Sequence, residues 1–290
     1  MEKHYYDNLP SVADMLKKHG IEPKKSLGQN FLLDLNITDR FAKSARGLKD
    51  AVVVEIGGGP GGITRSLLNN GAKKVIVIDF DKDIIPLQKE LQKAYPNRLE
   101  IIEGDAMKID YEVLKKEHCP NDEKFLIASN LPFNISVHLL VKWLELIHKD
   151  KLIDGMTLIF QKEVADRIKA SIKTKQYGRI SILSQLLCNV QKQFNIGAGS
   201  FTPAPKVDTI VLQFIPFKES KNFNFKSVEE IVKQAFNQRR KTIKSSLKKI
   251  HENSIEVIEN WQKKGVKISA RAEELTPENF MHLSTSLDKS

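Results

Sequence analysis

A polar loop follows one of the short apolar runs of this chain and carries residue types that suit chemistry on a base. Methylating an exocyclic amine is difficult because the lone pair of its nitrogen is delocalised into the ring. Hydrogen-bond acceptors counter this, and Asn130 offers a side-chain carbonyl while Leu131 offers a main-chain carbonyl. Pro132 stiffens the loop, and Phe133 offers a face on which a base can stack, worth ~1–3 kcal/mol. The loop therefore predicts an amine-methylating site; the plainer alternative is an Asn-containing turn beside a core Phe.

A glycine-rich segment follows the first predicted strand and begins just after Glu55. Five of the six residues from 57 to 62 are glycine, which leaves the backbone free to turn tightly and to approach a ligand. A helix is predicted to start there, so its N–H groups would point into the same crevice. Gly57, Gly59 and Gly62 also satisfy the dinucleotide fingerprint, so a nicotinamide cofactor is one alternative and a simple tight turn is another.

Carboxylates end the next two predicted strands. Asp79 lies 22 positions after the first of these glycines, where an acid can accept hydrogen bonds from both ribose hydroxyls of a nucleoside cofactor. Its alternative role is a helix N-cap, although Asp81 and Asp83 could serve there. Asp105 could receive the exocyclic amine of an adenine, with the backbone N–H of Ala106 beside it. Both acids are therefore candidate cofactor-binding residues.

The elements that must position these residues alternate between short apolar runs and helical patterns. This alternation is typical of a doubly wound α/β sheet whose parallel strands are buried on both faces. Ligands of such sheets bind outside the carboxyl ends of the strands, where all the loops above lie. Crossover helices are predicted at Ile63–Asn70 and Asp83–Ala94, and an antiparallel pair at Leu186–Phe194 and Thr209–Phe214. The predicted parallel strands are Val52–Ile56, Val75–Ile78, Leu99–Ile102, Phe125–Ala128 and Met156–Phe160.

The sequence changes character after about residue 216, where helical periodicity replaces the strand pattern. A single apolar stripe predicts one helix from Ser227 to Ile250, opened by a capping box of Ser227 and Glu230. Further helices are predicted at Ser254–Lys263 and Pro277–Leu287. The domains are therefore predicted as an N-terminal arm (1–24), a catalytic domain (25–216) and a small all-helical domain (217–290).

The chain is basic, with 46 Lys and Arg against 36 Asp and Glu and a net charge of +10. Such a balance favours an anionic partner, either nucleic acid or an anionic membrane. Seven basic residues and no acid lie between positions 233 and 249, which predicts contacts with RNA phosphates; a solvated charged face is the alternative. Lys24 and Lys25 are weaker candidates. The predicted RNA-binding residues are Arg239, Arg240, Lys241, Lys244 and Lys248.

Several classes of protein are disfavoured by what the sequence does not contain. The two cysteines, Cys119 and Cys188, lack CxxC spacing, and the seven histidines form no zinc motif, so we expect no disulfide and no catalytic metal. No apolar run is long enough to span a membrane, and Met1–Pro10 lacks the core of a signal peptide. These features predict a cytoplasmic protein. No Ser or Cys nucleophile has a motif-level partner, so a hydrolase is disfavoured as well.

Taken in order, these motifs resemble those of the small-subunit ribosomal RNA adenine dimethyltransferases. The resemblance runs along nearly the whole chain, and its most specific segment is Phe201–Asp208. It implies a Rossmann-like methyltransferase domain, S-adenosylmethionine as cofactor and small-subunit ribosomal RNA as substrate. The similar segments are Lys25–Leu32, Glu55–Gly57, Asp79, Asp105–Ala106, Asn130–Phe133, Gln161–Ala165, Tyr177–Arg179, Phe201–Asp208 and Ala235–Thr242.

The resemblance also implies roles for residues that spacing alone does not mark. Gln29, Asn30 and Leu32 would contact the methionine or ribose end of the cofactor. The other cofactor-binding residues would include Glu55, Gly57, Gly59 and Asn130. Phe201 would face Phe133 and sandwich a target base taken from an unpaired loop or flipped out of a helix. The methyl group would pass directly in line to N6 of adenine, giving N6,N6-dimethyladenosine without a covalent enzyme intermediate. We expect a monomer to be sufficient.

Two departures from the family pattern and three alternatives stay open at this point. Phe133 stands where the family has Tyr, and Asp79 stands where Glu is common. The chain could instead be a methyltransferase of the large-subunit type, or a non-catalytic ribosome-assembly factor with the same fold. The third alternative, a nicotinamide-dependent oxidoreductase, is supported by the glycines alone and leaves Asn130–Phe133 unexplained.

Overall fold

The computed structural model describes residues 9–219, 221–251 and 255–284, which form two compact units. The first unit contains the described residues up to Lys162 together with Gln191–Ile215. The second contains Glu163–Val190 and the described residues from Pro216 onward. One division between the units falls between residues 215 and 216, and Glu163–Val190, assigned above to the catalytic domain, groups with the C-terminal helices.

The first unit is an α/β structure built on a seven-stranded, mostly parallel sheet. Its helices are α1 Val12–Lys18, α2 Leu35–Ser44, α3 Gly62–Asn69, α4 Ile85–Ala94, α5 Tyr111–His118 and α6 Ser136–Asp150. Its strands are β1 Phe31–Leu32, β2 Val52–Ile56, β3 Lys74–Asp79, β4 Leu99–Glu103, β5 Phe125–Asn130, β6 Gly155–Gln161, β7 Cys188–Ile196, β8 Phe201–Thr202 and β9 Thr209–Pro216. The first three residues of β7 belong to the second unit.

The strand order of the large sheet is β4-β3-β2-β5-β6-β9-β7, and β1 pairs separately with β8. Strands β2 to β6 are parallel, and β9 runs antiparallel to β6. The chain leaves β2 toward β3 and β4, then returns to place β5 on the other side of β2. This reversal opens a crevice at the carboxyl ends of β2 and β5, the position at which doubly wound sheets bind ligands. The predicted fold class is confirmed.

The five predicted parallel strands are present, and their burial separates the centre of the sheet from its edge. All residues of β2 are buried, as are most of β3, β5 and β6, because helices cover both faces of these strands. The edge strand β4 buries only Leu99, while Ile101 and Ile102 are half-buried. The prediction of burial on both faces is therefore wrong for β4, which has a neighbour on one side only.

Other element boundaries differ from the sequence prediction by a few residues. Helix α4 begins at Ile85 instead of Asp83, and it has no side-chain cap. Strand β7 begins at Cys188 because residues 186 and 187 continue the preceding helix. It lies next to β9 and runs antiparallel to it, since Gln193 contacts Gln213 and Thr209 contacts Ile196. The closing antiparallel pair is thus present, with its first strand shifted by two residues and its second strand longer by two.

The N-terminal segment includes a packed helix. Ser11 caps α1 by accepting a hydrogen bond from the backbone N–H of Asp14 at 3.1 Å. Met15 and Leu16 are buried in a cluster with Ile84, Leu87 and Phe31, whose apolar surfaces leave water together. The predicted arm therefore has a fixed helix from residue 12 to 18, while residues 1–8 lie outside the described part.

The second unit is helical, and its helices differ from the predicted arrangement. The elements are α7 Lys162–Ile168, α8 Arg179–Leu187, α9 Phe225–Asn237, α10 Ile243–Ser246, α11 Lys248–His251, α12 Ile255–Lys263 and α13 Pro277–Ser284, and only the first residue of α7 belongs to the first unit. The prediction of a single helix from residue 227 to residue 250 is wrong, because this stretch contains parts of α9, α10 and α11. Asn224 caps α9 by accepting from the N–H of Ser227, and Thr242 caps a new helix by accepting from Ser245. The predicted capping box is therefore replaced by an Asn cap three residues earlier, and the predicted ends at Ser254 and Leu287 lie outside the described residues.

Aromatic packing explains why residues 163–190 belong to the helical unit. The Tyr177 hydroxyl donates to the carbonyl of Leu275 at 3.0 Å, and its ring lies 6.3 Å from that of Phe236. Phe236 in turn packs against Phe280 at 5.9 Å. These contacts bury large rings from three parts of the chain in one core.

Over the ranges that the structure describes, no helix is both long and apolar enough to cross a bilayer.

Candidate active site

The crevice at the carboxyl ends of the strands holds a cleft of about 290 Å³ within the first unit. It is lined by residues 26–32, 55–60, 62–63, 78–81, 104–106 and 130–135. Every cofactor-binding residue predicted above lines this cleft, as do Leu131, Pro132 and Phe133. The loops converge there because parallel strands place their carboxyl ends at one edge of the sheet.

The glycines of the first loop allow two segments of backbone to approach closely. Gly57 and Gly59 have φ angles of +67° and +52°, in the left-handed region that favours glycine. A Cβ on Gly59 would lie 3.1 Å from the ring of Phe31, and one on Gly62 would lie 2.7 Å from the carbonyl oxygen of Leu32. Any side chain at position 62 would therefore push away the segment that covers the cleft.

Glu55 is an acid held almost entirely away from water. Its side chain is 2% exposed and accepts a hydrogen bond from the Thr64 hydroxyl at 2.6 Å. Burial raises the pKa of Glu55 to about 8, the bond from Thr64 offsets this only in part, and the charge of Asp79 raises it further. Glu55 therefore carries a proton at neutral pH when no cation lies beside it.

Asp79 ends β3 and is fixed by three donors. Its Oδ1 accepts from the N–H of Asp81 at 3.1 Å, and its Oδ2 accepts from Gln88 Nε2 at 2.8 Å and from the N–H of Gly59 at 3.3 Å. Burial raises the pKa of Asp79 above its ordinary value, and these hydrogen bonds offset that shift only in part. Helix capping is excluded because α4 has no side-chain cap. Asp105 accepts from the N–H of Met107 at 2.9 Å and lines the same cleft.

The Asn130 side chain has one satisfied end and one unsatisfied end. Its Nδ2 donates to the carbonyl of Asn30 at 3.0 Å. Its Oδ1 is buried and has no hydrogen-bond partner among the described residues. Ser129 donates to the carbonyl of Ile56 at 2.7 Å and ties this loop to the neighbouring strand. A buried acceptor without a donor is costly unless a ligand supplies the donor.

Residues 24–32, which we call the strap, lie along one side of the cleft. The Gln29 side chain is engaged at both ends, since its Oε1 accepts from the N–H of Lys24 at 2.8 Å and its Nε2 donates to Asp81 at 2.7 Å. The Nζ of Lys24 lies 2.5 Å from Asp81 and 2.6 Å from Asp83. Lys24 is therefore committed to two carboxylates, and the Lys25 side chain lies outside the described part.

One predicted catalytic residue is absent from the cleft lining. Phe201 is 3% exposed, belongs to the core cluster around Leu32 and Phe194, and pairs with Leu32 in the β1–β8 ladder. The sandwich of a base between Phe133 and Phe201 would require Phe201 to leave this core. It stays a prediction without support from the geometry, and the packing instead makes Phe201 an anchor for the end of the strap.

One cleft residue escaped the sequence analysis. Phe80 directly follows Asp79, lines the cleft and is 67% exposed. Its position immediately after a strand-ending acid was the available signal. A planar ring there suits stacking on a purine.

The predicted RNA-binding residues divide into two groups. Arg239 is engaged within the second unit, with Nε bonded to Glu273 at 2.5 Å and its other nitrogens bonded to the carbonyls of Lys175 and Thr174. The basic run itself contains no acid, but Glu273 of another element binds Arg239. Arg239 is therefore not available to contact RNA phosphates as predicted. The remaining four, Arg240, Lys241, Lys244 and Lys248, are exposed.

The two cysteines and the possible metal ligands complete the inventory of reactive groups. Cys119 is half-buried and Cys188 is buried, and both are free thiols. The described residues include no group of three or more His, Cys, Asp or Glu side chains arranged to hold a metal ion.

These observations fit a nucleoside cofactor bearing a positive charge, beside a base with an amino group. The glycine loop leaves room for close approach, Asp79 ends β3 and Asp105 follows β4, and the buried Oδ1 of Asn130 has no donor among the described residues. S-adenosylmethionine matches this set through its ribose, adenine, ammonium and sulfonium groups. The donors and acceptors therefore suit the cofactor implied by the sequence.

Comparisons with known proteins agree with this site. A family model described as ribosomal RNA adenine dimethylase matches residues 20–289. A protein of Rhizobium etli named ribosomal RNA small subunit methyltransferase A is 40% identical over 97% of this chain and 98% of its own length. A protein of Paramagnetospirillum magneticum with the same name is 40% identical over 97% and 96%.

Solved structures support the same assignment. A dimethyladenosine transferase of Plasmodium falciparum aligns with a TM-score of 0.71 and 29% identity, covering 88% of this chain and 96% of its own. The 23S rRNA methyltransferase ErmE aligns with a TM-score of 0.61 and 23% identity over 89% and 100%, which shows a shared fold. Since the family model spans nearly the whole sequence and includes every residue of the cleft, the chain belongs to the ribosomal RNA adenine dimethylase family.

Proposed function

We propose that this protein transfers methyl groups from S-adenosylmethionine to N6 of adenines in small-subunit ribosomal RNA, giving N6,N6-dimethyladenosine. The observation that carries the proposal is the buried, unpartnered Oδ1 of Asn130 in a cleft lined by the glycine loop. Relatives named as small-subunit methyltransferases, about 40% identical over almost their full length, support the substrate class.

The cofactor half of the cleft is defined by the ends of β2, β3 and β4. S-adenosylmethionine supplies a methyl group activated on a sulfonium centre. We infer that Asp79 accepts hydrogen bonds from the ribose and that Asp105, with the N–H of Ala106, binds the adenine edge. Phe80 offers its exposed ring to the adenine face. Glu55 and the strap residues Gln29, Asn30 and Leu32 border the remaining space.

The base half of the cleft is defined by the loop after β5. Oδ1 of Asn130 and the main-chain carbonyl of Leu131 accept hydrogen bonds from the target amine, which concentrates electron density on its nitrogen and orients the lone pair. Phe133 stacks on the base, and Pro132 keeps the loop rigid. The proton released after transfer passes to solvent, so no general base is required. Rate acceleration comes from positioning and electrostatic orientation.

The second unit supplies cationic surface for RNA. Near the end of α9 it has a shallow groove whose lining consists of amides, hydroxyls and two lysines, Lys248 and Lys249. Exposed Arg240, Lys241 and Lys244 lie in the same stretch of sequence. Phosphate contacts by such side chains give affinity without sequence specificity. We expect the protein to act in the cytoplasm as a monomer.

The test is methylation of unmodified small ribosomal subunits with labelled cofactor, followed by RNA digestion. We expect label in N6,N6-dimethyladenosine. Subunit binding without label would favour a non-catalytic assembly factor, and label in large subunits alone would refute the proposed substrate.

Asn130→Ala tests the residue that carries the proposal. We expect at least a hundredfold loss of kcat, comparable to removal of one preorganised catalytic hydrogen-bond group, with cofactor affinity retained within about tenfold. Asn134→Ala, an exposed residue of the same loop, is the matched control and should lose much less. Full activity of Asn130→Ala would exclude its carbonyl as the amine acceptor.

A further inference from the structure

The strap is held at its two ends by different interactions. Its C-terminal end, Phe31–Leu32, forms the antiparallel ladder with Phe201–Thr202. Its N-terminal end is held by the side chain of Asp81, two residues beyond the end of β3. Between these ends the strap touches the proposed catalytic loop through a single described hydrogen bond, from Asn130 to the carbonyl of Asn30.

Asp81 has the features of an anchor. It is only 4% exposed, yet its Oδ1 accepts from Lys24 Nζ at 2.5 Å and its Oδ2 accepts from Gln29 Nε2 at 2.7 Å. Burial alone would raise the pKa of Asp81, but the hydrogen bonds from Lys24 and Gln29 outweigh it and lower the pKa. Asp81 therefore stays ionised and binds two strap residues through charge-assisted hydrogen bonds, which are stronger than neutral ones.

The strap in turn decides which end of the Asn130 amide faces the target. A carboxamide rotated by half a turn exchanges an acceptor for a donor. If the NH2 group of Asn130 faced the amine of a base, two donors would meet and the nitrogen lone pair would not be oriented. The Asn30 carbonyl prevents this because it accepts a hydrogen bond only from Nδ2, at 3.0 Å. That carbonyl stays in place only while the strap is held down.

We propose that Asp81 is a positioning residue: through Lys24, Gln29 and the Asn30 carbonyl it holds Asn130 with Oδ1 directed to the target amine. This inference rests on the proposed function. It also means that an open strap removes the amine acceptor, so a base that enters before the strap is closed is not oriented for transfer. Cofactor enclosure and base orientation are thereby linked through one segment.

The test compares Asp81→Asn, which keeps the shape of the side chain, with Lys24→Met, which leaves β3 and its loop untouched. Asp83→Asn is the matched control, because Asp83 also binds Lys24 at 2.6 Å but is 70% exposed, whereas the Gln29 side chain donates to Asp81. Lys24→Arg keeps the cation, so its hydrogen exchange and kcat should stay close to those of the unaltered protein. Two quantities are measured: hydrogen exchange of the backbone amides of residues 24–32 without cofactor, and kcat on unmodified small subunits at saturating cofactor.

Both disruptive variants should exchange the strap amides about tenfold faster or more, because each loses a charge-assisted hydrogen bond. Both should also lower kcat about tenfold, whereas Asp83→Asn changes either quantity less than about threefold, as expected for an exposed pair. If only the KM for the cofactor rises and kcat is intact, the strap is a lid and the positioning role is refuted.

Unchanged exchange in the variants would show that Asp81 does not hold the strap, which also overturns the inference. An inactive unaltered protein would overturn the proposed function and this inference together. Active unaltered protein with equally active Asp81→Asn would overturn the inference alone.

Discussion

Replacing Glu55 by Gln should make the cofactor-free protein more resistant to alkaline pH. The carboxyl of Glu55 is 2% exposed, and burial raises its pKa from 4.5 to about 8. Between these two pH values the folded state holds a proton that the unfolded chain has lost, so the free energy of unfolding falls as pH rises. Gln has nearly the same shape and cannot ionise, so the variant lacks this loss.

The magnitude follows from the difference between the two pKa values. At 1.36 kcal/mol per pKa unit, the full effect is about 5 kcal/mol. About half of it, roughly 2.5 kcal/mol, falls between pH 6 and pH 9, above the range where most other carboxylates titrate. The stability of the unaltered protein should therefore decrease by about that amount relative to Glu55→Gln across this interval.

Urea unfolding at pH 6, 7, 8 and 9 measures this difference. Trp143 lies buried in the first unit and reports on it when Trp261, the other tryptophan, is replaced by Phe in both proteins. Glu103→Gln is the control, because Glu103 is an exposed glutamate at the end of β4 and its variant should follow the unaltered protein. Parallel pH profiles for the unaltered protein and Glu55→Gln would refute the protonated state of Glu55.

Four further substitutions test the remaining roles. Asp79→Asn should weaken S-adenosylmethionine binding at least about tenfold, because the ribose loses a charged acceptor; equal affinity by calorimetry would exclude that role. Phe80→Ala should cost ~1–3 kcal/mol of cofactor affinity while leaving the unfolding midpoint in place, and an unaltered Kd would mean that the ring does not stack. Arg240→Glu should weaken RNA binding and reduce its salt dependence by a slope of at least about 1. Arg239→Gln should instead lower the melting temperature of the second unit, and RNA affinity lost without any loss of stability would contradict its structural role.

Local patterns in the sequence were sufficient for the five parallel strands and for the loops that carry chemistry, but not for the short strands β1 and β8. A short apolar run such as Val52–Ile56 predicts a buried strand from its own residues. These neighbours in the chain must form their backbone hydrogen bonds and bury their side chains together. Once the strands were recognised, the rule for doubly wound sheets placed Asp79, Asp105 and Asn130 at one edge, and the cleft lies there.

Only the tertiary structure decided how the side chains at that edge are satisfied. Gln29 bonds to a carboxylate 52 positions away, and Asn130 bonds to a carbonyl 100 positions away. Arg239 finds its acid at Glu273, so a run without acids in sequence is not uncompensated in space. Phe201 is buried by its partners in the core instead of lining the cleft. Such contacts leave no periodic pattern in the sequence. Hydrogen bonds and packing depend on distance in space, and folding brings together residues that lie at arbitrary separations along the chain.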